Sequence, residues 1–384
     1  MNIGFFTDSY RPYTSGVVRS IETFTKELKQ LGHQVYIFAP QYKDCEREPG
    51  VFRYLSVPSP TNQDFTLAIP ISLRTRPLVR KLKLDIIHVH SPFMMGRLGA
   101  HVARSERIPL VYTYHTLYDK YVHYVPFAQE LSSKVVQRIA TDFSNRCDLV
   151  IVPTRVIGDV IRQNGVRTPI ESIPTGIEVK DYKDGDPAWL RRTFRIPPHD
   201  RVLLFVGRIG QEKNIEFLIR SFRLVQQQVP DTTLVLVGGG PQEQELKELV
   251  VSLGLRDKVV FTGTLEKKLV VNCYLGADLF VFASVTETQG LVIGEAKAAG
   301  LPVVAIDAFG VKEMVTHERS GFLCQLNEQE FVNRIITLLE DHDLYRQMSA
   351  TALEEAQLIT AEACAWRLVQ AYQSIIRANK VVGY

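Results

Sequence analysis

A chain of 384 residues asks for two or three domains, and 45% hydrophobic with 23% charged residues is ordinary for a soluble globular protein. The longest apolar runs, such as LFVFA and DLVIVP, fall far short of the roughly 20 residues that a bilayer span needs. The net charge is +3, and five scattered cysteines without a CxxC pair (Cys45, Cys147, Cys273, Cys324, Cys364) argue against a disulfide framework and a zinc site.

The chain opens directly into MNIGFFTDSY, without the basic and apolar regions of a signal peptide, so a cytoplasmic protein is expected. In the first half NIGFFTD, QVYIFAP, DIIHVHS, LVYTYH, LVIVPT and IESIPTG read as strands, most of them without polar alternation and hence buried on both faces. SIETFTKELKQLGH reads as a helix that stops at Gly32. His88 and His90 share one strand face and are read as structural or acceptor-lining, with no third metal ligand beside them.

The segment ISLRTRPLVRKLKLD interleaves Arg74, Arg76, Arg80, Lys81 and Lys83 with Leu73, Leu78, Val79 and Leu82. Opened or kinked by Pro77, it reads as a short basic amphipathic helix able to lie on an anionic membrane; a merely solvated helix would carry the same pattern. Tyr118, Tyr121 and Tyr124 recur at a spacing of three beside His115, either as core aromatics or as part of an acceptor surface.

The polar, proline-containing stretch 179–200 marks a domain boundary, placed at 183/184. Beyond it RVLLFVGR, TTLVLVGGG, VVFTGT, LFVFAS, PVVAID and GFLC repeat the strand pattern between helices. Two such series imply two doubly wound α/β domains. Ligands of such sheets bind beyond the carboxyl ends of the strands, so the cleft between the domains is the expected site. Residues 1–185 carry an excess of six positive charges and the remainder an excess of three negative ones. The halves are thus expected to meet different partners, unless the split is ordinary surface variation.

Two stretches of the second half carry chemistry. VGRIGQEKN ends a strand at Gly207-Arg208 and sets Lys213 just before a helix, where two cations suit a diphosphate. A solvated basic loop would look the same. In TETQGLVIGEA a helix is expected to begin after Gly290 and run to about Ala299, with GLP closing it. The loop Thr288-Gln289-Gly290-Leu291 then offers amides at a helix N-terminus. Glu295, one turn in, can accept two hydrogen bonds from a vicinal diol such as ribose, and Glu287 can accept from a sugar beyond the phosphates. The alternative is an ordinary loop acid and a helix-face glutamate.

ETQGLVIGE followed by AKAAGLPVVAIDAFGVKEMV, with VGRIGQEKN and LVLVGGGPQEQEL upstream, resembles the signature of retaining family 4 glycosyltransferases, and the similarity runs nearly end to end. The resemblance implies the GT-B architecture: two facing Rossmann-like domains, residues 1–183 binding the acceptor and residues 184–364 binding a nucleotide-sugar donor. It also implies that the terminal helix, about 365–384, packs back on the first domain. By the resemblance Arg208 and Lys213 neutralise the diphosphate beside Gly207, and Glu295 holds the ribose. Glu287 and the Gln289–Leu291 amides, flanked by Thr288 and Val292, hold the hexose and phosphates. Gly263-Thr264 contacts the nucleobase. Gly16 in RPYTSGVVRS stands where the family carries a glycine for phosphate or acceptor, and His115 in YTYHTLYDKYVHY matches the active-site histidine that bonds the donor sugar. The family usually carries a bulky or aromatic residue beside Gly290; Thr288-Gln289 departs from that pattern and leaves the hexose open.

Retaining enzymes of this fold need no protein nucleophile, because the leaving diphosphate takes the proton and positive groups meet the developing charge. Asp184-Gly185-Asp186 has the look of a metal triplet but lies in the linker and reads as a turn, so no essential metal and no cofactor are expected. HTLYDKYVHYVP and FTLAIPISLR are similar to bacterial diacylglycerol glucosyltransferases of the same family. That similarity implies transfer of glucose from UDP-glucose in α linkage to diacylglycerol, on the inner face of the cell membrane. Tyr10, the basic segment, Tyr118 and Tyr121 would then meet lipid acceptor and anionic membrane surface; no nucleic acid partner is expected. A phosphatidylinositol mannosyltransferase or a soluble-acceptor enzyme would keep the donor site. A nucleotide-binding regulator would not need it intact, and a dehydrogenase would want GxGxxG where TDSYRPYTSG stands.

Overall fold

Apolar runs rich in Val, Ile and Phe form the strands in both halves of the chain. The computed structural model describes residues 1–43, 45–59, 65–70, 74–117 and 133–382; Tyr118, Tyr121 and Tyr124 lie outside them. The chain divides into two compact units, Met1–Gly176 with Ala361–Tyr384, and Ile177–Thr360. The crossings therefore fall a few residues before the expected 183/184 and 364/365.

In the first unit the strands are β1 (Asn2–Phe6), β2 (Gln34–Pro40), β3 (Val51–Tyr54), β4 (Ser56–Pro58), β5 (Thr66–Ala68), β6 (Ile86–Val89), β7 (Leu110–Thr113), β8 (Leu149–Val152) and β9 (Ile170–Ser172). The helices are α1 (Gly16–Gln30), α2 (Thr75–Leu82), α3 (Met94–Glu106), α4 (Ser133–Ser144) and α5 (Arg155–Gln163). Seven strands form one parallel sheet in the order β3-β2-β1-β6-β7-β8-β9, and β4-β5 is a separate antiparallel ribbon. The three strands between residues 51 and 68 escape a sequence reading because none has an apolar run long enough to stand out. Helix α1 starts at Gly16, earlier than its apolar pattern announces, because Ser15 caps it and accepts from the Val18 amide at 3.3 Å. Its Val18, Ile21, Phe24 and Leu28 are buried, each contributing roughly 1.5–3 kcal/mol.

The second unit contains α6 (Trp189–Phe194), β10 (Arg201–Val206), α7 (Ile215–Gln228), β11 (Thr232–Val237), α8 (Glu243–Ser252), β12 (Val259–Gly263) and α9 (Lys267–Leu275). Then come β13 (Leu279–Phe282), α10 (Leu291–Ala298), β14 (Val303–Ile306), α11 (Val311–Met314), β15 (Gly321–Cys324), α12 (Glu328–Glu340) and α13 (His342–Leu358). Its six strands are parallel in the order β12-β11-β10-β13-β14-β15. The last helix, α14 (Ala361–Val382), belongs to the first unit and packs against α1. Both sheets are Rossmann-like, and each reverses strand order once, between β1 and β6 and between β10 and β13. Loops that leave two neighbouring strands in opposite directions open a crevice, and that is where such sheets bind ligands.

Candidate functional site

At the β10/β13 reversal the second unit gathers most of the expected donor residues. The β10 loop carries Gly207, the exposed Arg208 and, in a short 3-10 turn, Lys213. The β13 loop carries Glu287 through Gly290 and runs into α10. Ser284 Oγ donates to the Glu212 carbonyl at 3.0 Å and ties the two loops together. Lys213 Nζ forms an ion pair with Glu287 Oε1, both side chains being only 16% exposed, and lies 5.9 Å from the centre of the Phe282 ring. Residues assigned separately to diphosphate and hexose thus hold each other. A half-buried ion pair fixes both groups where a ligand would need them, and an incoming phosphate would share the lysine.

Three close backbone approaches shape this end of the sheet. A Cβ on Gly238 would come within 1.9 Å of the Gly207 carbonyl oxygen, and one on Gly240 within 2.2 Å of the Ile209 oxygen. Only glycine lets the β10 and β11 loops meet this closely. Gly310 plays the same part against Thr288, where a Cβ would sit 2.1 Å from the carbonyl oxygen, and its amide donates to the Glu287 carbonyl at 2.9 Å. The loop before α10 is therefore clamped from behind. Gly290 stands at φ 80°, ψ 60°, a left-handed turn that starts α10 at Leu291 and Val292, whose first amides have no acceptor within the helix.

Glu295 is 6% exposed, one turn into α10, and accepts from the Tyr274 hydroxyl at 2.9 Å. A carboxylate offers about four acceptor positions and can accept from several donors at once. Tyr274 is a residue that sequence reasoning missed; nothing in KKLVVNCYL marks it. Gly263, at φ +69°, accepts from the Gly238 amide at 3.0 Å, and Thr264 is exposed beside it. Asp184-Gly185-Asp186, expected as a linker turn, lies inside the second unit, and the turn begins only at Asp186, which leads into α6: Asp186 accepts from the Ala188 amide at 3.0 Å and pairs with Arg192 at 2.6 Å.

At the β1/β6 reversal the first unit places Asp8, Tyr10 and Gly16 after β1 and His90 after β6, with His115 beyond the neighbouring β7. His115 Nε2 and His90 Nδ1 are 2.9 Å apart, and their rings stack with centroids 5.2 Å apart. His88 joins the Tyr372 hydroxyl of α14 at 2.5 Å and Thr113 Oγ1 at 2.6 Å. Burial pushes His115 down to about 3 and moves His88 and His90 well below the usual imidazole range, neighbouring imidazoles adding to the effect. All three are neutral at pH 7, so His115 is equipped to exchange hydrogen bonds rather than to carry charge. Asp8, also missed, accepts from Ser91 and from the Met95 amide at 2.8 Å at the start of α3. Burial raises its pKa against those two bonds. Gly16 faces open space.

Two expectations on the acceptor side change. Tyr10 is 1% exposed, with the Arg11 and Arg53 guanidiniums 5.3 and 5.2 Å from its ring centre, so it packs the unit and presents no face to a lipid. In α2 the apolar residues turn inward, Val79 being buried, and Arg76 and Arg80 both pair with Glu106, at 2.9 and 2.6 Å. Lys81 and Lys83 at the end of the helix are exposed. No helix among the described residues is long and apolar enough to cross a membrane.

Comparison with known proteins agrees with this arrangement. Residues 14–181 match the Glycosyltransferase Family 4 model, and residues 189–355 match Glycosyl transferases group 1. An α-monoglucosyldiacylglycerol synthase of Streptococcus pneumoniae is 33% identical, with 99% of this chain and 87% of that protein covered. One of Acholeplasma laidlawii is also 33% identical, covering 92% of each. Among solved structures, Anabaena HepE in complex with UDP-glucose superposes with a TM-score of 0.77 at 23% identity, over 97% of this chain and 100% of that one. With two Rossmann-like units, the GT-B fold and matched relatives along nearly its whole length, the chain belongs to the family 4 glycosyltransferases and is a hexose-transferring enzyme.

Proposed function

We propose that the protein transfers glucose from UDP-glucose to the free hydroxyl of 1,2-diacylglycerol, with retention, giving an α-glucoside. The observation that carries this reading is the 33% identity to two α-monoglucosyldiacylglycerol synthases, over 99% and 92% of the chain. In the step proposed, the bond between sugar C1 and the diphosphate oxygen breaks while C1 bonds to the acceptor oxygen on the same face. The acceptor proton passes to the diphosphate, which leaves as UDP. Arg208 and Lys213 meet the negative charge that builds on the leaving group, together with the Gln289–Leu291 amides. Glu295 holds the ribose diol, Glu287 the glucose hydroxyls, and neutral His115 a sugar hydroxyl. The reading needs no metal, because two cations and a helix N-terminus supply the positive field, while Asp186 is engaged at the start of α6 by the Ala188 amide and Arg192. The acceptor places the enzyme on the cytoplasmic face of an anionic membrane, attached from the surface.

A panel of UDP-glucose, UDP-galactose and GDP-mannose, offered with diacylglycerol vesicles and with soluble acceptors, tests the reading. The expected product is α-glucosyldiacylglycerol from UDP-glucose alone. Mannosyl transfer, or transfer only to soluble acceptors, would replace it with the corresponding alternative.

The ribose assignment has its own test. Removing a carboxylate that accepts two hydroxyl bonds costs on the order of 2 kcal/mol, about 30-fold in Kd. Calorimetry on folded Glu295→Ala should show that loss of UDP-glucose affinity. Tyr274→Phe, which removes the hydroxyl that orients Glu295, should lose less, about 1 kcal/mol. Unchanged donor affinity in Glu295→Ala would remove the residue from the site.

A further inference from the structure

Three ligand-bearing side chains meet at the end of the second sheet opposite the donor loops. Asp200 directly precedes β10 and Asp231 directly precedes β11. The two strands run parallel and start side by side, which brings the carboxylates together with His199 beside them. One ligand atom from each residue lies within 4.8 Å of the other two. His199 Nε2 stands 3.5 Å from Asp200 Oδ1 and 3.7 Å from Asp231 Oδ1. The backbone beneath them is fixed. Arg191 Nη1 donates to the Pro197 and Asp200 carbonyls at 3.1 and 2.8 Å, and the Arg201 amide donates to the Asp231 carbonyl at 2.7 Å.

Asp200 decides what the cluster suits. Its side chain is 0% exposed. Oδ2 accepts from Thr233 Oγ1 at 2.6 Å and from Lys258 Nζ at 2.9 Å, whereas the buried Oδ1 has no hydrogen-bond partner. A buried carboxylate oxygen without a donor is costly, and this one is turned toward the His199 nitrogen. Both N···O separations are too long for good hydrogen bonds. They match the separation of about 3.4 Å between neighbouring ligands of a tetrahedral ion with bonds of about 2.1 Å. A neutral imidazole with two carboxylates carries two negative charges, of which Lys258 offsets one through the other oxygen of Asp200.

We propose that His199, Asp200 and Asp231 hold one divalent transition-metal ion, zinc by class, where β10 and β11 begin. An imidazole nitrogen with two carboxylate oxygens suits zinc, while magnesium and calcium take oxygen ligands throughout. The His199 and Asp231 side chains are each 67% exposed, which leaves the ion a way in and a fourth position for water. Strand β10 runs six residues, about 20 Å, from this site to the donor loop at Gly207. The ion therefore acts on the fold, tying the segment before β10 to the segment before β11. Transfer by Arg208 and Lys213 does not draw on it.

The experiment uses the full chain without an affinity tag, stripped with a chelator and titrated calorimetrically with zinc chloride. One saturable ion per chain is expected, and His199→Ala and Asp231→Asn should each weaken its binding at least about tenfold. Both side chains lie at the surface, so the metal-free melting temperature should stay at the parent's, and either variant that keeps it suffices for the test. His342→Ala removes an exposed histidine flanked by Asp341 and Asp343 at the start of α13, and should bind zinc as the parent does. Zinc should also raise the melting temperature of the parent and of His342→Ala, but not of the two site variants, because the ion binds only the folded chain. Excess magnesium should not compete. Unchanged binding in both site variants, or equal loss in all three, would mean an adventitious ion only and overturn the proposal. So would a parent that takes up no zinc, or a site that magnesium fills first.

Discussion

Replacing Arg208 or Lys213 by alanine is expected to lower turnover by at least about 100-fold, the loss seen when one preorganised group is withdrawn from a developing charge. The reasoning is electrostatic. As C1 separates from the diphosphate, charge grows on the leaving oxygen, and a cation held in place needs no reorganisation to meet it. The two variants should differ in one respect. Arg208 is exposed at the strand end, so its removal should cost the fold less than removal of Lys213. Lys213→Ala strands the Glu287 carboxylate, half-buried and stripped of its partner, and should also lower the melting temperature. Adding Glu287→Gln to Lys213→Ala should recover that stability without recovering turnover, the non-additivity of a directly contacting pair. Steady-state kcat with calorimetric melting checks both halves of the prediction. A β-glucoside by proton NMR from any active form would refute the retaining assignment.

The second large effect is on stability against acid. His88, His90 and His115 have folded pKa values depressed by burial, His115 to about 3 from 6.5. The unfolded chain takes up protons as pH falls through about 6.5, and the native chain does not. Stability is therefore full above pH 6.5 and is lost below it, down toward the folded values. Between pH 7.5 and 5.5 His115 should cost about 1 kcal/mol, and His88 and His90 act in the same direction. Trp366 lies on α14 in the same unit, so its fluorescence in a Trp189→Phe background reads urea unfolding of that unit alone. His115→Asn should weaken the dependence. A urea midpoint that stays flat from pH 7.5 to 5.5 would mean that the histidines are not held neutral.

Sequence and structure divide the candidate site along a physical line. Gly207-Arg208, the loop at Thr288–Gly290 and the start of α10 were legible because each is local: a strand that ends, a glycine, a helix that begins. The position of Glu295 one turn into its helix follows from the 3.6-residue repeat. Its partner Tyr274 does not follow from any repeat, since it sits on another helix and meets Glu295 only when α9 and α10 pack. The basic pattern of residues 74–83 was legible too, but its orientation was not. An amphipathic helix says that it has an apolar face, and only its neighbours say whether core or solvent receives it. Glu106 and Tyr54, from elsewhere in the chain, settle that α2 faces inward.

By itself the sequence determined that this chain makes two parallel α/β units, where the strand-end loops of the candidate site fall, and which carboxylates and cations stand on those loops. These are properties of short apolar runs, helix periods and turn residues, all read within about ten positions of one another. The tertiary structure alone decided that Lys213 pairs with Glu287 across two loops, and that Tyr372 reaches back over 284 residues to His88. Such contacts arise where strand order reverses and where the last helix returns. They depend on the order of elements in space, a quantity no local pattern carries.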